Sequence, residues 1–280
     1  MSVQAMESQE TVDAALQETA DASWIAAQRS ETFERYLMPA VGAILLVVVW
    51  WLIIVMFKVP PYIAPSPVAV AVTFVEKFQL LFSNLVPTAL EALGGFLIGN
   101  VLAVATATVF VHSRRIERIV YPVAVLLNSI PIVAKVPILI LLLGNGMEPK
   151  IAIAALIVYF PTLVNMVRGL QAVSPQSMEL MHILSATKAE VFWRLRLQTS
   201  LPYLFSALKI AASTATLGAI VGEWIGSQVG IGALIIQATY NFDSELLYAT
   251  VLMGAFFSLA FFLVILGAER AFVRWQPDAR

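Results

Sequence analysis

The 280-residue chain is 60% hydrophobic and only 12% charged, whereas an ordinary soluble domain is roughly 25% charged. With a mean hydropathy of +0.85, a soluble globule is excluded. No cysteine and only two histidines are present, which excludes disulfides, thiolate metal sites, cysteine nucleophiles and a histidine-rich metal site. We therefore expect a polytopic membrane protein with no nucleic-acid partner.

The chain opens with a polar, acidic segment, residues 1–36, in which seven acidic side chains face two basic ones. No basic region followed by an apolar run occurs there, so we expect a tail rather than a cleaved signal peptide. Residues 37–270 are predicted to form the transmembrane domain, and residues 271–280 a short C-terminal tail.

Long apolar runs predict six transmembrane helices in an all-α fold, because about 20 apolar residues cross a bilayer. The predicted spans are 37–57, 86–110, 119–143, 151–167, 200–222 and 246–267. Segments 58–85 and 168–199 are too long for turns and too polar for spans, and we expect them to form helices that lie on the membrane faces. In the second span, small residues recur every fourth position, a spacing that permits close helix packing: Gly95, Gly99, Ala103 and Ala107.

Basic side chains predict the orientation, because Lys and Arg accumulate in cytoplasmic loops. The opposite faces hold only Lys58, Lys77 and Lys150. We therefore expect both termini and segment 168–199 to be cytoplasmic. The basic residues assigned to the cytoplasmic faces are Arg29, Arg35, Arg114, Arg115, Arg118, Arg168, Lys188, Arg194, Arg196, Arg270, Arg274 and Arg280.

Catalytic motifs are absent from the sequence. It contains no H-E-x-x-H, no G-x-S-x-G and no G-x-x-x-x-G-K-[ST], and indeed no Gly-Lys pair. The chain is therefore expected to be neither an enzyme nor a P-loop ATPase on its own, and we expect no metal or cofactor in it.

Ionisable groups inside the predicted spans are candidates for function, because burying each one costs several kcal/mol unless it faces water or a partner. Lys135 lies between Pro131 and Pro137, and both prolines are expected to loosen the third span. A broken helix with a central cation suits a translocation pathway or gate. The alternative is a lysine that snorkels or pairs with Glu91 or Glu223.

Glu91 and Glu223 fall toward the outer side of the second and fifth spans. They are expected either to line the outer mouth of a pathway or to bind a neighbouring helix. Lys209 lies near the cytoplasmic end of the fifth span, where its side chain can snorkel.

Segment 174–199 is predicted to be a helix, a break and a second helix. Ser174 can cap a helix whose first residue is Pro175, and the break is expected near Ser185 and Ala186. Such a projection would be accessible to a cytosolic partner. The alternative interpretation of this segment is an amphipathic helix that lies on the bilayer surface.

This cytoplasmic segment resembles the loop that carries the "EAA" signature of permease subunits of bacterial ABC importers. Glu179 matches the acidic residue, and Leu195 and Leu197 stand at the positions of the isoleucine and leucine near the end of the signature. The segment departs from the pattern at Leu180, Met181, Ser185 and Gln198, which replace two alanines, a glycine and a proline.

Other stretches resemble the nitrate/sulfonate/taurine-type permeases of the same family. The matching positions are Ala64 to Pro67, Ile130-Pro131, Ala134, Pro137, Leu143-Gly144, Gly222 to Gly226 and Gly230 to Gly232. Residues 160–165 and 192–197 most resemble the branch that imports pyrimidine precursors of thiamine or riboflavin.

The resemblance implies a type I importer in the bacterial plasma membrane. Two permease copies would bind two cytosolic ATPase subunits, which hold ATP and Mg²⁺, and an extracytoplasmic solute-binding protein. The ATPase-coupling helix would include Ser177, Met178, Glu179, Leu180, His182, Ser185 and Ala186. A vitamin-precursor cargo is expected, with a sulfonate, taurine or nitrate importer as one alternative and an autonomous ion-coupled secondary transporter as another.

Overall fold

The computed structural model describes residues 37–38 and 40–273. The predicted tail 1–36 and most of the predicted tail 271–280 lie outside these residues. Within the described part every regular element is helical. The chain divides into two compact units with the boundary between Pro67 and Val68.

The first unit contains helix α1, Ala40–Phe57. None of its residues is buried, and its 18 residues have a mean hydropathy of 2.9, which suits contact with lipid. The helix ends at Lys58, whose φ of 49° places it in the left-handed region, the conformation that commonly terminates helices.

The remaining helices follow the order α2 to α11, with a π-helical segment, Val191–Arg196, between α8 and α9. Their bounds are Pro67–Glu76 (α2), Phe78–His112 (α3), Arg114–Ser129 (α4), Ile132–Leu143 (α5), Glu148–Gln171 (α6), Pro175–Ile183 (α7), Lys188–Glu190 (α8), Leu197–Glu223 (α9), Ile231–Tyr240 (α10) and Ser244–Phe272 (α11). Helix α8, the π-helical segment and α9 form one continuous 36-residue helix.

By length and composition, five helices of the described chain can cross a membrane, or six if the bent pair α4–α5 is one span. Helices α3 and α6 run parallel, since Gly95 lies against Ala154 and Gly99 against Ala155. The α4–α5 pair must therefore carry the chain back from the end of α3 to the level at which α6 begins. This geometry agrees with the six predicted spans.

The third span is broken at Pro131, as expected of a loosened helix. Helices α4 and α5 meet at 100°, where Ile130 is extended, as expected of a residue before proline. Pro131 then occupies the position just before the first residue of α5. Pro137 lies inside α5, which continues to Leu143; its missing N–H removes one hydrogen bond without ending the helix.

The second span begins earlier than predicted. Helix α3 starts at Phe78, and its first turns include Ser83 and Asn84. Both polar side chains donate hydrogen bonds to the Leu80 carbonyl at 2.9 Å, which satisfies them within the helix. The helix that we expect on the membrane face within segment 58–85 is therefore α2, which ends at Glu76.

Small residues hold α3, α6 and α9 together. A Cβ on Gly99 would come within 2.6 Å of the Ala155 carbonyl oxygen, and one on Gly218 within 2.7 Å of the Ala154 Cα. Ala103 and Ala107 are fully buried, so the predicted close packing of this face is confirmed.

Helix α11 packs antiparallel to α9. Lys209 forms a 2.8 Å ion pair with Glu269 instead of only snorkelling, and the Phe205 and Phe272 rings stack nearby.

Candidate functional site

Helix α7 has the predicted boundaries. The Ser177 N–H donates to the Ser174 side chain at 3.1 Å, and Pro175 occupies the first turn. The helix ends through a left-handed residue, Ser185, with φ 52°, and the Ala186 N–H donates to the Met181 carbonyl. The cap at Ser174 and the break at Ser185 are both confirmed, and both could be predicted because each depends on residues close by in the chain.

The next helix restarts through a capping box. Thr187 accepts a hydrogen bond from the Glu190 N–H, and the Glu190 carboxylate accepts one from the Thr187 N–H at 2.8 Å. Such reciprocal bonds fix the entry of the chain into the 36-residue helix.

Helix α7 exposes apolar side chains. None of its residues is buried; Leu180 is 56% exposed and Ile183 74% exposed, and the adjoining Leu184 is 65% exposed. Glu179 is also exposed, and it forms no ion pair within the described residues. Met178 and Ala186 face inward instead, onto a cleft of about 310 Å³ that His112 and Lys188 also line. The segment thus presents an unpaired carboxylate and leucine-rich surface at one end of the bundle.

At the opposite end, Glu91 is buried in an ion pair. Its Oε1 lies 3.3 Å from the Lys150 ammonium, and the two side chains are 1% and 7% exposed. Lys150 also donates to Ser227 Oγ at 2.8 Å. Glu91 Oε2 has no hydrogen-bond donor among the described residues.

Glu223 caps the short helix α10. Thr88 Oγ1 donates to its Oε1 at 2.6 Å, and the Gly232 N–H donates to its Oε2 at 2.5 Å. The two preceding N–H groups also find side chains: Ile231 donates to Thr88 Oγ1 and Gly230 to Asn84 Oδ1. Three backbone N–H groups at the start of α10, which have no partner within the helix, are therefore satisfied by residues of α3 and α9.

This cap explains the glycines of segment 230–232. Gly230 has φ +115°, a conformation that side chains disfavour, and a Cβ on it would collide with the Glu223 carboxylate. A Cβ on Gly232 would likewise collide with the Ile220 carbonyl. The backbone can approach the buried carboxylate only because both positions lack a side chain.

The structure separates Lys135 from the two carboxylates. Lys135 is half-buried on α5, and no carboxylate of the described residues lies within ion-pair distance of it. The alternative that Lys135 pairs with Glu91 or Glu223 is wrong, because Lys150 pairs with Glu91 and Glu223 binds α10. Roles of Lys135, Pro131, Pro137, Glu91 and Glu223 in a pathway stay predictions.

Sequence reasoning missed Lys150, Thr88 and Asn84. Lys150 is expected on an outer face of the membrane domain, yet it lies in the first turn of α6 and is 6% exposed. The one sequence feature that could have indicated the role of Lys150 is its position near the predicted outer ends of the spans that carry Glu91 and Glu223. No sequence feature indicated the roles of Thr88 and Asn84, since polar residues near a span end ordinarily face water or headgroups.

A second contact at the same end of the bundle as Glu91 joins the α2–α3 junction to the start of α11. Lys77 lies 2.9 Å from Asp243, which also accepts the Leu246 N–H at the start of α11. Burial raises the pKa of Asp243, but the Leu246 hydrogen bond and Lys77 outweigh it, so this pKa lies below its usual value.

No group of three or more His, Asp and Glu residues within 37–38 and 40–273 is arranged to hold a metal ion. The polar clusters described here are hydrogen-bonded to backbone and to each other. Their chemistry is that of helix caps and ion pairs.

Comparison with known proteins identifies the family. The model described as "Binding-protein-dependent transport system inner membrane component" matches residues 95–276. A "Probable ABC transporter permease protein" of Haemophilus influenzae is 32% identical over 82% of this chain and 94% of the relative.

Two further relatives are named for their cargo. The "Formylaminopyrimidine transport permease protein ThiX" of Halalkalibacterium halodurans is 30% identical over 86% of this chain and 96% of its own length. The "Riboflavin transport system permease protein RibX" of Chloroflexus aurantiacus is 31% identical over 89% and 96%. These matches decide against an autonomous secondary transporter. The chain belongs to the family of binding-protein-dependent transport system inner membrane components and is a multi-pass permease subunit of an ABC importer.

Proposed function

We propose that two copies of this chain form the translocation pathway of an ATP-driven importer in the bacterial plasma membrane. Two cytosolic ATPase subunits would bind ATP and Mg²⁺, since the chain has no P-loop. An extracytoplasmic solute-binding protein would deliver the cargo. Family membership supports this assembly.

The observation that carries the coupling proposal is the exposed segment α7 to Ala186. A helix with no buried residue, bounded by a serine cap and a left-handed break, is a rigid projection rather than part of the core. Its leucine-rich surface and the unpaired Glu179 suit a protein groove that combines apolar contact with a cationic or backbone donor. The position of this segment also corresponds to the EAA-like stretch.

Orientation follows from charge. Helix α7 lies at the end of the bundle where α3 and α6 finish, and there the basic residues of the sequence accumulate, from Arg114 to Arg118 and from Arg168 to Arg196. We therefore assign this end and both termini to the cytoplasm. The Glu91–Lys150 pair and the cap of α10 then lie on the extracytoplasmic side.

Closure of the ATPase dimer on ATP would draw the two α7 segments together and switch the pathway between two orientations. Each state would be stabilised by a different ligand: the inward state by the ADP-bound or empty ATPase, and the outward state by ATP and the loaded binding protein. In this scheme the chain itself transmits motion and performs no hydrolysis.

We propose a small heteroaromatic cargo of the pyrimidine or riboflavin type. The support is the naming of two relatives that match nearly their full length. Sulfonates, taurine and nitrate are the other cargo class to be tested. A panel of formylaminopyrimidine, riboflavin, taurine and nitrate, applied to the binding protein encoded beside this chain, distinguishes the two.

The coupling proposal is tested by E179R in the complex purified with its ATPase and reconstituted with its binding protein. We expect at least about a tenfold loss of transport per ATP hydrolysed, equivalent to about 1.4 kcal/mol of coupling, in a complex that still folds. The matched control is E76R, which reverses an exposed carboxylate at the other end of the bundle. Equal coupling in E179R and E76R would contradict the assignment of α7.

A further inference from the structure

A basic cleft lies between α4 and α6, at the same end of the bundle as α7. It has a volume of about 470 Å³. One face of α4 and the last turns of α6 form its walls. The cleft takes no part in the coupling segment or in the cluster around Glu91.

The mouth of the cleft is cationic. Arg114 and Arg118 come from α4 and Arg168 comes from α6, against one carboxylate, Glu117. All three arginines are exposed, and none forms an ion pair within the described residues. The mouth therefore carries a net charge of +2 from three guanidinium groups and one carboxylate.

The interior of the cleft is more apolar. Further along α4, into the predicted span, the lining residues are Tyr121 and Pro122, and further back along α6 they are Val164 and Val167. Because α4 enters the bundle where α6 leaves it, both helices change from charged to apolar in the same direction. The cleft thus has the polarity of an amphiphile, with an anionic head at the mouth and a hydrocarbon part within.

We propose that this cleft binds the phosphate headgroup of an anionic phospholipid, with the arginines on the phosphate and an acyl chain against Tyr121 and the valines. Guanidinium groups match phosphate oxygens in charge and in hydrogen-bond geometry, and basic pockets between transmembrane helices on the cytoplasmic side suit anionic lipids. Assignment to the inner leaflet rests on the orientation proposed above; lipid binding does not.

The test is a titration of the full-length chain in mild detergent with phosphatidylglycerol, read by native mass spectrometry. Each basic residue near an anionic lipid contributes about fivefold in affinity, so R114Q/R118Q/R168Q should bind the lipid about 100-fold more weakly than the unmodified chain. The matched control R115Q/R194Q/R270Q removes three exposed arginines that do not line the cleft, and it should stay within about threefold of the unmodified chain.

Equal weakening in both triple variants would overturn the proposal, because the lipid would then respond to general surface charge. So would phosphatidylcholine bound as tightly as phosphatidylglycerol. Inorganic phosphate that competes at millimolar concentration would identify a small-anion site instead of a lipid site. R114K/R118K/R168K keeps the charge but not the guanidinium geometry, so it should recover part of the affinity, which separates loss of the site from loss of folding. Because no ATPase is present, the outcome is independent of the coupling assay.

Discussion

Replacing Lys150 by methionine tests the buried ion pair with Glu91 at the end of the bundle opposite α7. Met has a similar length but no charge, so K150M leaves Glu91 buried without a cation. At 3.3 Å, the lost attraction is about 5 kcal/mol with an effective dielectric constant of about 20. Breaking buried ion pairs by removing one partner costs about 3–5 kcal/mol, and we expect a loss in this range.

The assay is thermal unfolding followed by tryptophan fluorescence in one detergent at one scan rate. For a domain of this size each kcal/mol lowers Tm by about 2–4 °C, so K150M should unfold about 6–20 °C below the unmodified chain. The double variant E91Q/K150M removes both charges and should regain part of that loss.

The control is K77M, which breaks a shorter ion pair to Asp243, 2.9 Å long, whose side chains are 40% and 34% exposed. Exposed pairs contribute at most about 1 kcal/mol. If burial decides the strength, K150M must be more damaging than K77M in spite of its longer distance. A smaller loss in K150M than in K77M, or no recovery in E91Q/K150M, would refute the reasoning.

Three further variants test the other contacts. E223Q provides one carboxamide oxygen for two donors, which leaves a buried group unpaired at a cost of about 1–3 kcal/mol; thermal unfolding should detect the loss, and an unchanged Tm would show that the cap is dispensable. D243N removes a carboxylate whose pKa is depressed, so its stabilisation is present at neutral pH and is lost as pH falls through the folded pKa; the Tm difference from the unmodified chain should persist at pH 7 and vanish well below pH 4, and a pH-independent difference would contradict the charge effect. K135M should reduce the uptake rate of the reconstituted importer if the ammonium lines the pathway, and unaltered uptake kinetics would assign Lys135 a structural role.

Local chemistry decided which predictions from sequence succeeded. Ser174, Pro175 and the break at Ser185 act within a few residues of themselves, so their pattern predicted the helix and its end. The stripe from Gly95 to Ala107 is also local, because it lies on one face of a helix and needs only some neighbour to pack against. Hydropathy predicted the spans for a similar reason, because a run of apolar residues is a local property of the chain.

Tertiary contacts decided the rest. Whether Pro131 or Pro137 ends a helix depends on where the surrounding helices support the chain, and both prolines look alike in sequence. The pairing of Glu91 with Lys150 instead of Lys135 depends on α3 and α6 being parallel and in register. Helix α10 is absent from the predicted helices, because its first N–H groups are satisfied by side chains 143 and 146 residues away along the chain.

The helix from Lys188 to Glu223 is continuous, so it connects the two ends of the bundle through one element. Its 36 residues extend about 54 Å at 1.5 Å per residue, from the capping box beside α7 to the carboxylate that grips α10. A tilt of about 10° around its midpoint moves each end through roughly 5 Å in opposite directions, by the same length. If this helix tilts as a rigid body, the end beside α7 and the end at α10 therefore move by equal distances in opposite directions, without any change of secondary structure in between.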